Sequence, residues 1–172
     1  MKETDLKVAI SRTYSKNDVV ELARVIHRNE HLFNRLTRVY LDNEHPELAK
    51  KAAWILSHCV ELNPEMIQPY LKKLVDCIAR PGQHDTIKRN GLKILESVPI
   101  PYTLFGKIAD LCFNCIKSGK EPVAIKAYSI GILDKISKEI PEIREELKII
   151  LQNLLPYESA GFRVRAKRVL SK

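Results

Sequence analysis

An all-α fold of stacked helical pairs is predicted by two sets of repeating columns and by the absence of any period-two, strand-like stretch. Leu56, Leu95, Leu133 and Leu170 recur at spacings of 39, 38 and 37 residues. Each follows a β-branched residue (Ile55, Ile94, Ile132, Val169) and lies four positions after a small one (Ala52, Gly91, Ser129, Ala166). Eight positions before each Leu stands a large apolar residue: Leu48, Ile87, Ile125 or Phe162. A second set keeps the same period upstream. Phe33, Leu71, Ile108 and Leu147 form one column; Leu36, Leu74, Leu111 and Ile150 form another; Tyr40, Ile78, Cys115 and Leu154 form a third. Both sets have helical periodicity, so each repeat reads as a first helix, a turn and a second helix.

Taken in order, residues 1–15 are a short helix or an arm, and residues 17–29 are an amphipathic helix that caps the first repeat, giving a capping region over 1–30. The repeats follow at about 31–62, 64–98, 101–138 and 142–171, in a single domain spanning 1–172. Pro64 and Pro141 open first helices and Pro46 and Pro122 open second helices, at positions where the missing N–H has no partner to lose. Pro81-Gly82, Gly119 and Pro156 fall between helices and permit the turns.

This pattern resembles the HEAT and armadillo-type α-solenoids. Ile87-Lys88, Ile125-Lys126 and Phe162-Arg163 match the apolar-then-basic opening of a HEAT second helix, whereas Leu48-Ala49 departs, with Lys50 one position late. The resemblance covers about residues 31–171. It implies a right-handed α-α superhelix of about four helix pairs with a capping helix at the N-terminal side. It also implies that the second helices line the concave face. The scaffold hosts many unrelated tasks and does not name one.

Composition narrows the task. In 172 residues, 29 Lys and Arg against 21 Asp and Glu give a net charge of +8, which favours acidic partners. No apolar run approaches the ~18 residues of a membrane span. The start, Met1-Lys2-Glu3-Thr4-Asp5, lacks the apolar run of a secretory signal, and the four Cys read as reduced, buried thiols in a cytoplasmic protein.

Two strings have an enzyme-like look. His27-Arg28-Asn29-Glu30-His31 fits the His-x-x-Glu-His pattern of inverted zincins, which needs both His on one face of a continuous helix. Here Asn29 reads as the stop of the capping helix, so the string straddles a bend. Cys112-Phe113-Asn114-Cys115 falls late in a first helix, in columns that are apolar elsewhere, and redox versions sit at helix N-termini. Neither is assigned a metal, and no cofactor is expected.

The second helices carry the stronger signal. Counted from each anchor Leu, positions −6, −5, −2 and +2 turn away from the core. They hold Lys50, Lys51, Trp54 and His58; Arg89, Asn90, Lys93 and Ser97; Ala127, Tyr128, Gly131 and Lys135; Val164, Arg165, Arg168 and Lys172. Eight of these sixteen are Lys or Arg and none is acidic, where 21 acids in 172 residues would place about two. Acids are expected on turns and first helices instead. The expected site is therefore Lys50, Lys51, Trp54, His58, Arg89, Lys93, Tyr128, Lys135, Arg165 and Arg168. Its cations suit carboxylates or phosphates, and its aromatic rings suit bases.

The expected function is non-catalytic binding of an acidic protein segment or of nucleic acid. A narrower resemblance is to the HEAT-like DNA alkylation-repair glycosylases, whose concave basic face holds duplex DNA. Their catalytic Asp flanked by Trp residues is not matched: this chain has a single Trp, and Asp134, at +1, is the carboxylate nearest the column. A nucleic-acid-acting relative of those enzymes is the alternative reading.

Overall fold

A computed structural model describes residues 3–42 and 44–171. Lys172, the last of the sixteen second-helix positions, lies outside the described residues, as do Met1 and Lys2 of the N-terminal stretch. The described residues form ten α-helices and no strand: α1 Glu3–Ser11, α2 Lys16–Ile26, α3 Glu30–Asp42, α4 Pro46–Leu62, α5 Leu71–Ile78, α6 Asp85–Ser97, α7 Phe105–Lys117, α8 Val123–Ile136, α9 Pro141–Leu154 and α10 Ala160–Leu170. Consecutive helices pack as pairs, and the chain divides into two compact units, Met1–Val98 and Pro99–Lys172.

In the first unit, the stretch read as a helix or an arm is a helix: α1 buries Leu6 and Ile10 and packs on α3 and α4. Helix α2 opens with a capping box. Ser15 Oγ accepts from Asp18 N at 3.2 Å, and Asp18 Oδ2 accepts from the Ser15 and Tyr14 amides at 2.9 Å. The bond from Tyr14 N, then that from Ser15 N, holds the Asp18 carboxyl below the ordinary carboxylate value. Asn29 corrects an expectation. Its Oδ1 accepts from Leu32 N at 3.0 Å, so it starts α3 rather than ending α2, whose last turn closes at Ile26.

The first helix of the next pair also differs from the sequence reading. Pro64–Tyr70 is a 3-10 turn, and the α-helix begins only at Leu71. Pro69 has no N–H to give to the carbonyl four residues back, so α-helical bonding cannot run through it. Past α5, Gly82 has φ 70°, a left-handed conformation that a side chain would strain.

Close approach, not backbone freedom, explains Gly91. A Cβ there would lie 2.5 Å from Ile78 Cδ1 and 2.6 Å from the hydroxyl of Tyr40. That hydroxyl is buried and donates to Ile87 O at 3.1 Å, so it has little room to retreat. The small residue at −4 thus seats two first-helix side chains against α6.

The second unit pairs α7 with α8 and α9 with α10, and α10 also packs on α8. Anchor Leu133, small residues Ser129 and Ala166, and openers Ile125 and Phe162 are all buried; anchor Leu170 is half-buried, while Val169 before it is buried. Lys126, the basic half of the α8 opening, is buried as well. Its ammonium pairs with Glu158, in the turn before α10, and lies 5.9 Å over the Phe162 ring.

Candidate binding face on the second helices

Within the first unit, α2 packs on α4 and α4 on α6, so neighbouring second helices stand side by side. Lys50, Lys51, Trp54 and His58 on α4 are half-buried, Lys93 on α6 is half-buried, and Arg89 is exposed. Asn90 departs from the expected face. It is buried, with its amide donating to Thr86 O at 2.8 Å, because position −5 is a flank turned toward the neighbouring helices. In the second unit Tyr128, Lys135 and Arg165 are half-buried, while Val164 and Arg168 are exposed.

The first unit's cations are largely engaged. Lys50 Nζ meets Glu47 Oε1 at 2.6 Å. Glu61 reaches two of them at once: Lys93 Nζ lies 2.6 Å from one carboxylate oxygen and His58 Nδ1 lies 2.7 Å from the other. Partial burial works against charge on Glu61, but Lys93 and then His58 outweigh it, and the carboxyl stays below its ordinary value. Lys51 Nζ donates to Ser11 O at 2.5 Å and sits 4.3 Å over the Tyr14 ring, tied to the α1–α2 connection. The face read as free of acids is thus partly neutralised by carboxylates on α4 itself. Glu47 and Glu61 belong to a second helix, against the expectation that acids keep to turns and first helices. Their signal was one turn away, at −9 and +5.

In the second unit the guanidinium of Arg165 donates through Nε to Ala127 O at 3.1 Å, linking α10 to α8. Arg168 makes no ion pair among the described residues, and neither does Arg89 in the first unit. Asp134, the +1 residue of α8, has Oδ1 3.7 Å from a guanidinium nitrogen of Arg144, whereas the carboxylates of Glu47 and Glu61 contact column residues.

The two enzyme-like strings resolve structurally. His27 closes α2, with Nδ1 3.2 Å from Ala23 O, and His31 lies in the first turn of α3, so the two rings do not share a continuous helix. Cys112 and Cys115 are buried in α7, and burial pushes the Cys112 thiol well above its ordinary value. Burial likewise raises Cys59, to about 12. Thiols in this state are poor nucleophiles at neutral pH. A separate cavity of about 290 Å³ in the first unit is lined by Lys7, Arg35 and Arg38 together with Asp42 and Glu44. Its mixed signs give it little selectivity for an anion.

A domain of repeats with paired helices, small residues at the close approach and a regular anchor column defines a family. Over residues 6–172 the chain matches the HEAT repeat domain. The chain belongs to the HEAT repeat family. Neither the comparison with curated proteins nor that with solved structures gives a match. HEAT membership implies a helical-repeat scaffold that binds other proteins and is typically non-catalytic; it does not identify the partner. Among the described residues of this HEAT protein, no helix is long and apolar enough to cross a membrane.

Proposed function

We propose that this HEAT domain is a non-catalytic binding module whose second-helix face holds an acidic partner, an acidic protein segment in the first instance. The reading takes residues 1–172 as one repeat domain, with a capping region over 1–30. The observation that carries it is the one-signed column: cations at half of sixteen aligned positions and no acid. The exposed, unpaired guanidinium groups of Arg89 and Arg168 support it, since each offers a planar donor fork to a carboxylate. Lys50, Lys93 and His58 contribute after yielding Glu47 and Glu61, an exchange of one carboxylate for another. Lys51 and Trp54 belong to the face in the first unit, and Tyr128, Lys135 and Arg165 to the face in the second.

The test is fluorescence anisotropy at low salt with a labelled poly-glutamate peptide and, in parallel, a single-stranded oligonucleotide. Arg89→Ala and Arg168→Ala are expected to weaken peptide binding several-fold each. Lys16→Ala and Lys148→Ala remove the same charge elsewhere and should leave binding nearly intact. Preference for the oligonucleotide, with a salt slope reduced by about one unit per lost phosphate contact, would make nucleic acid the partner. Equal losses from face and control variants, or no binding to either probe, would overturn the reading.

A further inference from the structure

We infer that α9 and α10 carry the two halves of a contact between copies of this chain, the acidic outer face of α9 in one copy meeting the basic outer face of α10 in another. The exposed residues of α9 include Glu142, Glu145 and Glu146, with no cation among them. At 100° per residue Ile149 falls near the middle of that face, and it is 59% exposed. The exposed residues of α10 include Arg163, Lys167 and Arg168, and the helix contains no acid at all. Val164 falls near the middle of this face and is 64% exposed.

Each helix therefore presents one aliphatic side chain ringed by a single sign of charge, and the signs are opposite. A lone exposed aliphatic is ordinary; two, centred on complementary charged faces of consecutive helices, specify each other. The charges are also available. Among the described residues Glu142, Glu145, Arg163, Lys167 and Arg168 make no ion pair, and only Glu146 is shared, with Lys117 at 3.4 Å.

The net charge of +8 opposes association of two copies at long range. At 0.15 M salt, however, fields fade over about 8 Å, so distant charges count little while facing pairs at contact still attract. One helix face against another is a small interface, of the weak, concentration-dependent kind. Val164 and Arg168 also stand on the column of the proposed function. Glu142, Glu145, Arg163 and Lys167 lie outside that site, so the inference does not rest on it and the charge swap leaves its residues intact.

A charge swap tests it on the full chain. Sedimentation velocity at 0.15 M salt should show the native protein growing beyond a monomer as concentration rises. Arg163→Glu with Lys167→Glu, and separately Glu142→Lys with Glu145→Lys, should each weaken association about tenfold or more, since like charges then face each other. All four positions are exposed, so circular dichroism and melting should match the native protein. An equimolar mixture of the two variants should associate again, because acid then faces base in both directions. Ile149→Asp should weaken association of the native pair. A native protein that stays monomeric at all concentrations, or a mixture that stays monomeric, would overturn the inference. Loss of poly-glutamate binding in the Glu142, Glu145 variant would also count against it, by showing a disturbed fold.

Discussion

Helices α4 and α6 of the first unit and α8 and α10 of the second carry the same register with different electrostatics. Lys93 and Arg168 occupy the same position, two before the anchor Leu. Lys93 is held by Glu61, five residues past the preceding anchor, where the second unit has Lys138 instead. The same column therefore presents an engaged ammonium in one unit and, among the described residues, an unpaired guanidinium in the other. Register decides which way a side chain points. Whether its charge is available to a partner depends on the residue one repeat earlier.

The largest expected effect lies in the second unit. Lys126→Ala leaves Glu158 without its ammonium in a site where the two side chains are only 7% and 17% exposed. Loss of one partner from such a pair should cost about 3 kcal/mol in denaturant unfolding. Lys126→Met with Glu158→Leu should recover much of it. In the first unit, Gly91→Leu drives a side chain into Ile78 and the hydrogen-bonded Tyr40 hydroxyl, for about 1–3 kcal/mol with helical content retained. Full tolerance of that change would contradict the close approach of α6 to the first helices.

Smaller effects sharpen the contrast in charge. Glu61→Gln should cost only about 0.5 kcal/mol in stability, as partly exposed pairs do. It should strengthen poly-glutamate binding several-fold by releasing Lys93 and His58. The mirror change, Lys138→Glu, should weaken binding through Arg168. An absence of opposite effects would mean that the two faces do not act through these cations.

The smallest effect is a pH dependence that belongs to the first unit. Asp18 and Glu61 are held below their ordinary carboxylate values, so each adds stability above pH ~4, which is lost as the pH falls through its folded value. Asp18→Asn should therefore melt lower than the native protein at pH 7 and converge with it at pH ~2. Thermal melts at the two pH values read this directly.

The anchor, small-residue and opener columns were legible because packing repeats with the chain: all three sets are buried almost throughout. The exceptions are the half-buried Leu170 at the last anchor and Leu48, half-buried while Ala49 is fully buried, at the one opening that departs from the family pattern. Local bonding was harder to read. Asn29 could end one helix or start the next, and only the Leu32 amide decides it. Pro64 has the place of a residue that opens an α-helix, but Pro69 delays the α-helix to Leu71. At the candidate face Asn90 is buried where the register turns it outward, and the charge balance was not legible. Glu61 meets Lys93 across a gap of thirty-two residues, a distance that no period along one helix encodes.

The ion pair between Lys126 and Glu158 also bears on how the molecule opens. It joins α8 to the turn that precedes α10, so the last helix pair cannot peel away without uncovering an ammonium and a carboxylate together. In a linear array each pair is held mainly by its neighbours, and pairs can open locally. A buried charge pair at that seam makes partial fraying costly and raises the cooperativity between the two pairs. Amide protons of α8 and α10 should therefore exchange as one block, and in Lys126→Ala those of α10 should exchange well ahead of those of α8.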